Sequence, residues 1–240
     1  MPRESLRNKQ QRAQTVCQAL EQAYPHSKCA LLYETPFQLL VATVLSAQTT
    51  DLAVNRITPG LFTAFPTPHA MAQAPEGELE QLINSIGLWR NKAKFLRGLS
   101  AMLVQDYDGK LPQTVVELKR LPGVAKKTAT AVLGSAFGLA VGITVDTHML
   151  RIHRLLNLSQ ATTADKMSTE LERLIDPSYW TSYTHRIIDH GRLVCVARKP
   201  RCGVCPLTAV CPSAYQADHG YQPINDTQEP ASAKGLSWLA

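Results

Sequence analysis

No apolar run in this chain of 240 residues approaches the roughly 18 residues that a membrane-crossing helix requires. That absence argues against a membrane span. The opening stretch, MPRESLRNKQQRAQ, is charged and has no apolar segment behind it, so no secretory leader is expected. Strand signals are scarce: only Val141 to Val145 resembles one, and it is short. There is no internal repeat. Cysteine is sparse outside one short segment near the C-terminus, where four of the six cysteines lie. Disulfides are disfavoured in a reducing cytosol, so Cys17 and Cys29 read as free thiols behaving as small hydrophobes. The expectation is a cytoplasmic, all-α protein. No feature demands an oligomer, and a monomer is expected.

What is present points to a polyanion. The apolar fraction is 45%, ordinary for a globular chain, and the length suits one large domain or two small ones. The formal charge is +6, unevenly placed. Residues 213–240 hold Asp218, Asp226 and Glu229 against Lys234, a net of −2, which leaves +8 on residues 1–212. A basic body followed by an acidic tail suits a nucleic-acid partner, although many basic proteins bind none. From Asp218 onward the tail is polar and rich in Pro, Gly and Ser, and is expected to be poorly ordered, with Trp238 and Leu239 available to dock.

Helical punctuation recurs. Thr35-Pro36-Phe37-Gln38 reads as an N-cap, a proline at the first helical position and a capping-box glutamine, with Leu39 to Leu45 continuing the helix. Thr49, Thr50 and Asp51 open another. Pro75 to Glu78 opens a short helix that Ile86-Gly87 closes. Asn91 to Tyr107 is amphipathic, with Phe95, Leu99, Met102 and Leu103 on one face. Asp146 to Leu156, Thr163 to Ile175 and Ser178 to Val194 read as later helices.

Two stretches carry chemistry. The first, LKRLPGVAKKTATAVL (residues 118–133), follows a short helix over Gln113 to Arg120. Pro122 and Gly123 stop that helix, Val124 anchors the turn, and a second helix starts at Lys126. A glycine turn lets backbone N–H groups approach a phosphate oxygen, and the positive end of the second helix faces the same place. The plain alternative is a hairpin that merely packs. Lys126 and Lys127 are either phosphate contacts or include a nucleophile. A nucleophilic amine must shed a proton, which means lowering a pKa near 10.4 by about three units, or roughly 4 kcal/mol. A helix N-terminus and a neighbouring cation push that way; bound phosphates oppose it. A carboxylate to accept the proton stands in Val145-Asp146-Thr147-His148, where Asp146 also reads as an N-cap. Spacing alone does not bring Asp146 to Lys127.

The second stretch is Cys195-VARKPR-Cys202-GV-Cys205-PLTAV-Cys211, a C-x6-C-x2-C-x5-C pattern. Four thiols this close suit a metal centre, either zinc or an iron–sulfur cluster. Zinc sites usually pair two Cys-x-x-Cys knuckles, and only one is present.

Taken in order, LSAQTTD (45–51), IGLWRNKA (86–93), LPGVAKK (121–127), VDTH (145–148) and the cysteine pattern resemble endonuclease III, the bifunctional DNA glycosylase and abasic-site lyase of the helix-hairpin-helix superfamily. The resemblance covers about residues 5–212. It implies a two-domain all-α fold: a six-helix barrel over 29–140 containing the hairpin, and a cluster domain over 1–28 and 141–212, with 213–240 as a flexible tail. It implies a [4Fe–4S] cluster on Cys195, Cys202, Cys205 and Cys211, structural in role. The loop residues Arg198, Lys199 and Arg201 would then face the DNA backbone.

The same resemblance implies a Schiff-base nucleophile in Lys127 and a catalytic aspartate in Asp146. Gln48 and Leu88 would enter the duplex when the damaged base flips out, and Gly123 and Val124 would offer N–H groups to a phosphate beside Lys126. The implied partner is double-stranded DNA carrying oxidised pyrimidines or abasic sites. By sequence alone Leu88 reads as core and Gln48 as a surface amide. The chain departs from the family pattern at Ala125, where a second glycine is usual, and at Thr130, where asparagine is usual. Ala125 puts close approach of the backbone to phosphate in question.

Two rival readings differ at named residues. The adenine-specific mismatch glycosylase of the same superfamily places a glutamate where Ala42 stands and carries a further C-terminal domain. A non-catalytic DNA-binding or redox-sensing iron–sulfur protein would keep the hairpin and cysteines without needing both Lys127 and Asp146.

Overall fold

In the computed structural model residues 4–216 are described. Short polar side chains set most helix starts. Ser5 caps α1 (Leu6–Ala23), and Thr35 caps α2 (Pro36–Leu45) by accepting from the Gln38 N–H. Thr50 caps α3 (Asp51–Ala64) and Thr67 caps α4 (Pro68–Ala72) in the same way. After α5 (Glu78–Ile83) and α6 (Trp89–Tyr107) comes the four-residue α7 (Val115–Leu118), capped by Thr114. The chain continues through α8 (Lys126–Phe137), α9 (Thr147–Leu155, capped by Asp146), α10 (Ala164–Glu172) and α11 (Trp180–Leu193). Removing one such cap costs about 1 kcal/mol. Short 3₁₀ turns lie at Pro177–Tyr179, Cys202–Val204 and Thr208–Val210. Among the described residues there is no strand.

The chain divides into two compact units. One is Cys29–Val141; the other joins residues 4–28 to residues 142–216 of the described chain. Each has its own core. Leu39, Leu40, Leu45, Leu61, Leu96, Leu99, Leu103, Val132 and Leu133 fill the first. Ala13, Val16, Leu20, Ile152, Leu171, Tyr183 and Ile187 fill the second. The first set explains why α2 reads as a near-continuous apolar run: all but two of its ten residues are buried.

The structure departs from the sequence expectations in several places. Thr67-Pro68 starts a further helix, α4, held by the fully buried Met71. Gln38 does not close a capping box on Thr35; its amide oxygen accepts from the Glu34 N–H at 2.7 Å. Val141 to Val145 takes no regular secondary structure and pairs with no strand among the described residues. Instead the Ile143 N–H donates to the Glu172 carboxylate at 3.2 Å, and Ser168 donates to the Ile143 carbonyl at 2.8 Å. Side chains of α10 thus satisfy the backbone that a second strand would otherwise serve. Phe95 is 41% exposed and does not join the buried Leu99 and Leu103.

Ser213 donates to the Leu155 carbonyl at 2.8 Å, so the chain still packs at residue 213. The expectations for Asp218 to Ala240, Trp238 and Leu239 included, lie outside the described residues. Among the described residues no helix is long and apolar enough to cross a membrane.

Candidate active site

The hairpin comprises α7, a turn over residues 119–125, and α8. Leu118, Leu121 and Val124 are buried, and the Val124 N–H donates to the Leu121 carbonyl at 3.1 Å. Gly123 has φ +78, where a side chain is strained, and a Cβ there would lie 2.9 Å from three atoms of Phe95. A Cβ on Gly98 would meet Pro122 at 3.1 Å. The turn is therefore seated directly on α6, which explains why Phe95 leaves the core: its ring is the seat.

No side chain caps α8. Its first-turn N–H groups have no partner within the helix, the arrangement that binds anions. Lys126 and Lys127 occupy the first two helical positions, and both are exposed. Ala125, the N-cap, has φ −86 and ψ 169, an extended conformation open to any residue. Glycine is not required there by the backbone, so the departure at Ala125 carries no strain. Thr130 is buried in α8.

Three exposed residues of the same unit hold a left-handed backbone without being glycine: Asp108 at the C-terminal end of α6, Gln48 and Leu88. Gln48 has φ 54 and Leu88 has φ 60, and Leu88 is 55% exposed. Such conformations cost about 1–3 kcal/mol and persist only where surrounding structure enforces them. Leu88 is therefore not a core residue, as sequence alone suggested, but an apolar side chain held out on a strained turn. Sequence reasoning passed over Lys92 beside it. Lys92 is only 3% exposed, and its ammonium donates to the Thr49 hydroxyl at 2.7 Å.

Asp146 belongs to the other unit. Its Oδ1 accepts from the Met149 N–H at 2.8 Å, so the carboxylate is held rigidly as the cap of α9. His148 follows, half-buried, with burial pushing its imidazole below the usual histidine range against the pull of Asp146. A Cβ on Gly191 would lie 2.6 Å from His148 Nδ1, so α9 and α11 approach closely. His153, fully buried, bridges the Met149 carbonyl at 2.8 Å and the Tyr183 hydroxyl at 2.7 Å, and burial lowers its pKa to about 4.

Cys195, Cys202, Cys205 and Cys211 line one pocket, together with Ile152, Leu155 and Leu207. Burial pushes the thiols of Cys195 and Cys211 up and that of Cys205 up to about 11. Iron would have to displace these protons on binding. Among the described residues no three His, Cys, Asp or Glu side chains converge where one metal ion could sit. Tetrahedral zinc would draw four sulfurs to within about 3.8 Å of one another, given Zn–S bonds of about 2.3 Å. Four thiolates lining one pocket suit an iron–sulfur cluster, in which each sulfur binds a different iron. Arg151 donates to the Cys195 carbonyl at 2.5 Å, tying the ring to α9. Between the first two cysteines, Arg198, Lys199 and Arg201 are exposed while Pro200 is buried and the Arg201 N–H donates to the Val194 carbonyl at 3.0 Å. The loop is thus pinned with its cations outward.

Comparison with known proteins fits this arrangement. Residues 41–177 match the family described as HhH-GPD superfamily base excision DNA repair protein, and residues 195–211 match the iron-sulfur binding domain of endonuclease III. The chain is 47% identical over 209 residues to the endonuclease III of Synechocystis sp., covering 87% of this chain and 95% of that one. The chain belongs to the endonuclease III family.

The endonuclease III of Bacillus subtilis is 41% identical over 196 residues, covering 81% and 89% of the two chains. A solved structure of endonuclease III trapped as a covalent intermediate with DNA superposes with a TM-score of 0.81 at 38% identity, covering 87% of this chain and 98% of that one. A thermostable thymine-DNA glycosylase shares the fold, with a TM-score of 0.77 at 21% identity. The helix-hairpin-helix fold and the [4Fe–4S] cluster are those of endonuclease III. Lys127 and the hairpin lie in one unit, Asp146 and the cysteines in the other.

Proposed function

We propose that the chain is a bifunctional DNA glycosylase and abasic-site lyase acting on oxidised pyrimidines in duplex DNA, with Lys127 as nucleophile and Asp146 as its proton acceptor. The observation that carries the reading is the position of Lys127. It is exposed in the first turn of an uncapped helix, directly behind a glycine turn seated on Phe95. A lysine there supports the reading because its amine can reach a phosphate received by such N–H groups.

The steps follow from the chemistry of an amine and a carboxylate. The damaged nucleotide is extruded from the duplex. Asp146 takes a proton from the Lys127 ammonium, and the amine forms a bond to C1′ of the sugar. The bond from C1′ to the base breaks with its electron pair, and the base leaves with the proton that Asp146 took. A second proton passes from the attached nitrogen to O4′, the C1′–O4′ bond breaks, and the opened sugar is an iminium, which acidifies the C2′ proton. Loss of that proton expels the 3′ phosphate by β-elimination, and water frees Lys127 by hydrolysing the imine. Asp146, fixed by the Met149 N–H, also stabilises positive charge developing on the sugar.

Binding follows the same division. Gln48 and Leu88 occupy the space left by the flipped base, Gln48 pairing with the orphaned base and Leu88 wedging the stack. The Gly123 N–H and Lys126 hold a phosphate; the Val124 N–H, expected to join them, is instead given to the Leu121 carbonyl at 3.1 Å and only anchors the turn. Arg198, Lys199 and Arg201 hold another stretch of backbone. We assign residues 29–140 as the barrel domain and residues 1–28 with 141–212 as the cluster domain. Cys195, Cys202, Cys205 and Cys211 hold the cluster, which when bound cross-links their loop and takes no part in the steps above.

Borohydride trapping tests the reading. With a duplex bearing thymine glycol, the wild type should give a covalent protein–DNA band and Lys127→Ala should give none. Absence of a wild-type band on any oxidised pyrimidine or abasic site would return the protein to a binding module or a glycosylase without a lyase step.

A further inference from the structure

Gln48 and Leu88 lie 40 positions apart in sequence, on separate connections, yet each is held in the same costly left-handed backbone. One side chain links the two. Lys92 sits one helical turn after Leu88 and its N–H donates to the Leu88 carbonyl at 3.0 Å. Its ammonium donates to Thr49, the neighbour of Gln48, at 2.7 Å. The Thr49 hydroxyl in turn lies 3.4 Å from the Ala47 carbonyl, on the other side of Gln48. A lysine only 3% exposed is rare, because burying an ammonium is costly and its four-carbon stem must be ordered as well. Burial lowers its pKa. An apolar residue of the same length would fill this buried position of α6 at less expense.

We propose that Lys92 is the positioning residue that couples the two inserting side chains, holding the Gln48 turn and the Leu88 turn in one fixed spacing. This rests on the proposed insertion of Gln48 and Leu88 into the duplex. Lys92 touches neither substrate nor reacting atoms. It acts by bracing both turns from beneath, so that the side chains enter together rather than each turn relaxing to an ordinary backbone.

The test uses the holoenzyme and three variants: Lys92→Met, which keeps the stem and removes the donor, Thr49→Val, and Thr49→Ser, which keeps the hydroxyl. Base release from thymine glycol is followed at saturating enzyme. Base extrusion is followed by the fluorescence of 2-aminopurine opposite the lesion. Trapping on a preformed abasic site reports Lys127 separately.

Lys92→Met and Thr49→Val should each slow base release by roughly tenfold or more, the loss expected for one charge-assisted hydrogen bond. Both should blunt the 2-aminopurine signal while leaving duplex affinity within about twofold. The double variant should be no slower than either single one, as for two residues sharing one interaction, and Thr49→Ser should match wild type. Wild-type rates in Thr49→Val, additive losses in the double variant, or an unchanged 2-aminopurine signal would overturn the proposal. If Lys92→Met fails to fold, Thr49→Val against Thr49→Ser decides it alone. A wild type that traps nothing on the abasic duplex would instead sink the Lys127 reading.

Discussion

Gly123→Ala is the most informative single perturbation of the hairpin. The glycine sits at φ +78, and an added Cβ would lie 2.9 Å from Cβ, Cγ and Cδ2 of Phe95. Left-handed backbone costs a residue with a Cβ about 1–2 kcal/mol, and overpacking adds about 1–3 kcal/mol. The expected total is about 3 kcal/mol, or a fall in Tm of roughly 6–12 °C for a chain of this size. Relief of the clash also moves the turn off α6, so duplex affinity should fall about tenfold as the Gly123 N–H loses its aim. Urea unfolding gives the first quantity and fluorescence anisotropy on a lesion duplex the second. A Phe95→Ala background separates the two causes, because it removes two of the three clashing atoms and leaves the backbone strain. There, adding Gly123→Ala should cost at least about 1 kcal/mol less. A cost below about 0.5 kcal/mol in the first background, or equal costs in both, would refute the claim that the turn is seated on Phe95.

Other expectations follow from the same geometry. Ala125→Gly should leave duplex affinity within about twofold and lower stability by roughly 0.5–1 kcal/mol, since the extended backbone at 125 gains nothing from glycine; tighter binding on gel shift would show that the alanine obstructs phosphate. Asp146→Asn should keep the cap of α9 and stability within a few tenths of a kcal/mol, while sharply reducing the trapped band; unchanged trapping would leave Asp146 a cap only. Below pH about 6.5 the unfolded chain protonates His153, whereas the native imidazole holds out to about pH 4. Stability should therefore fall with pH across that window, by about 3 kcal/mol at its lower end; urea unfolding of His153→Gln should show a shallower slope. Cys205→Ser should lower bound iron and sulfide on chemical analysis and lose visible absorbance, without removing duplex binding by residues 29–140.

Much of this protein was determined by local sequence. Caps at Thr35, Thr50 and Asp146, the Pro122-Gly123 break and the cysteine spacing act within a few residues of themselves, so their consequences could be read from the chain alone. The order of the five motifs did the same for the family. What tertiary structure decided was where side chains go when helices meet. Phe95 keeps the period of the apolar face of α6, yet it leaves the core because Gly123 packs on its ring. Leu88 is apolar and exposed because its turn is left-handed. Val141 to Val145 has the composition of a strand and no strand beside it, because Ser168 and Glu172 satisfy its backbone instead. Lys92 looks like any solvated helix cation until Thr49, 43 residues earlier, is folded against it. Each of these depends on a contact between segments distant in sequence, and periodicity and propensity carry no term for such contacts.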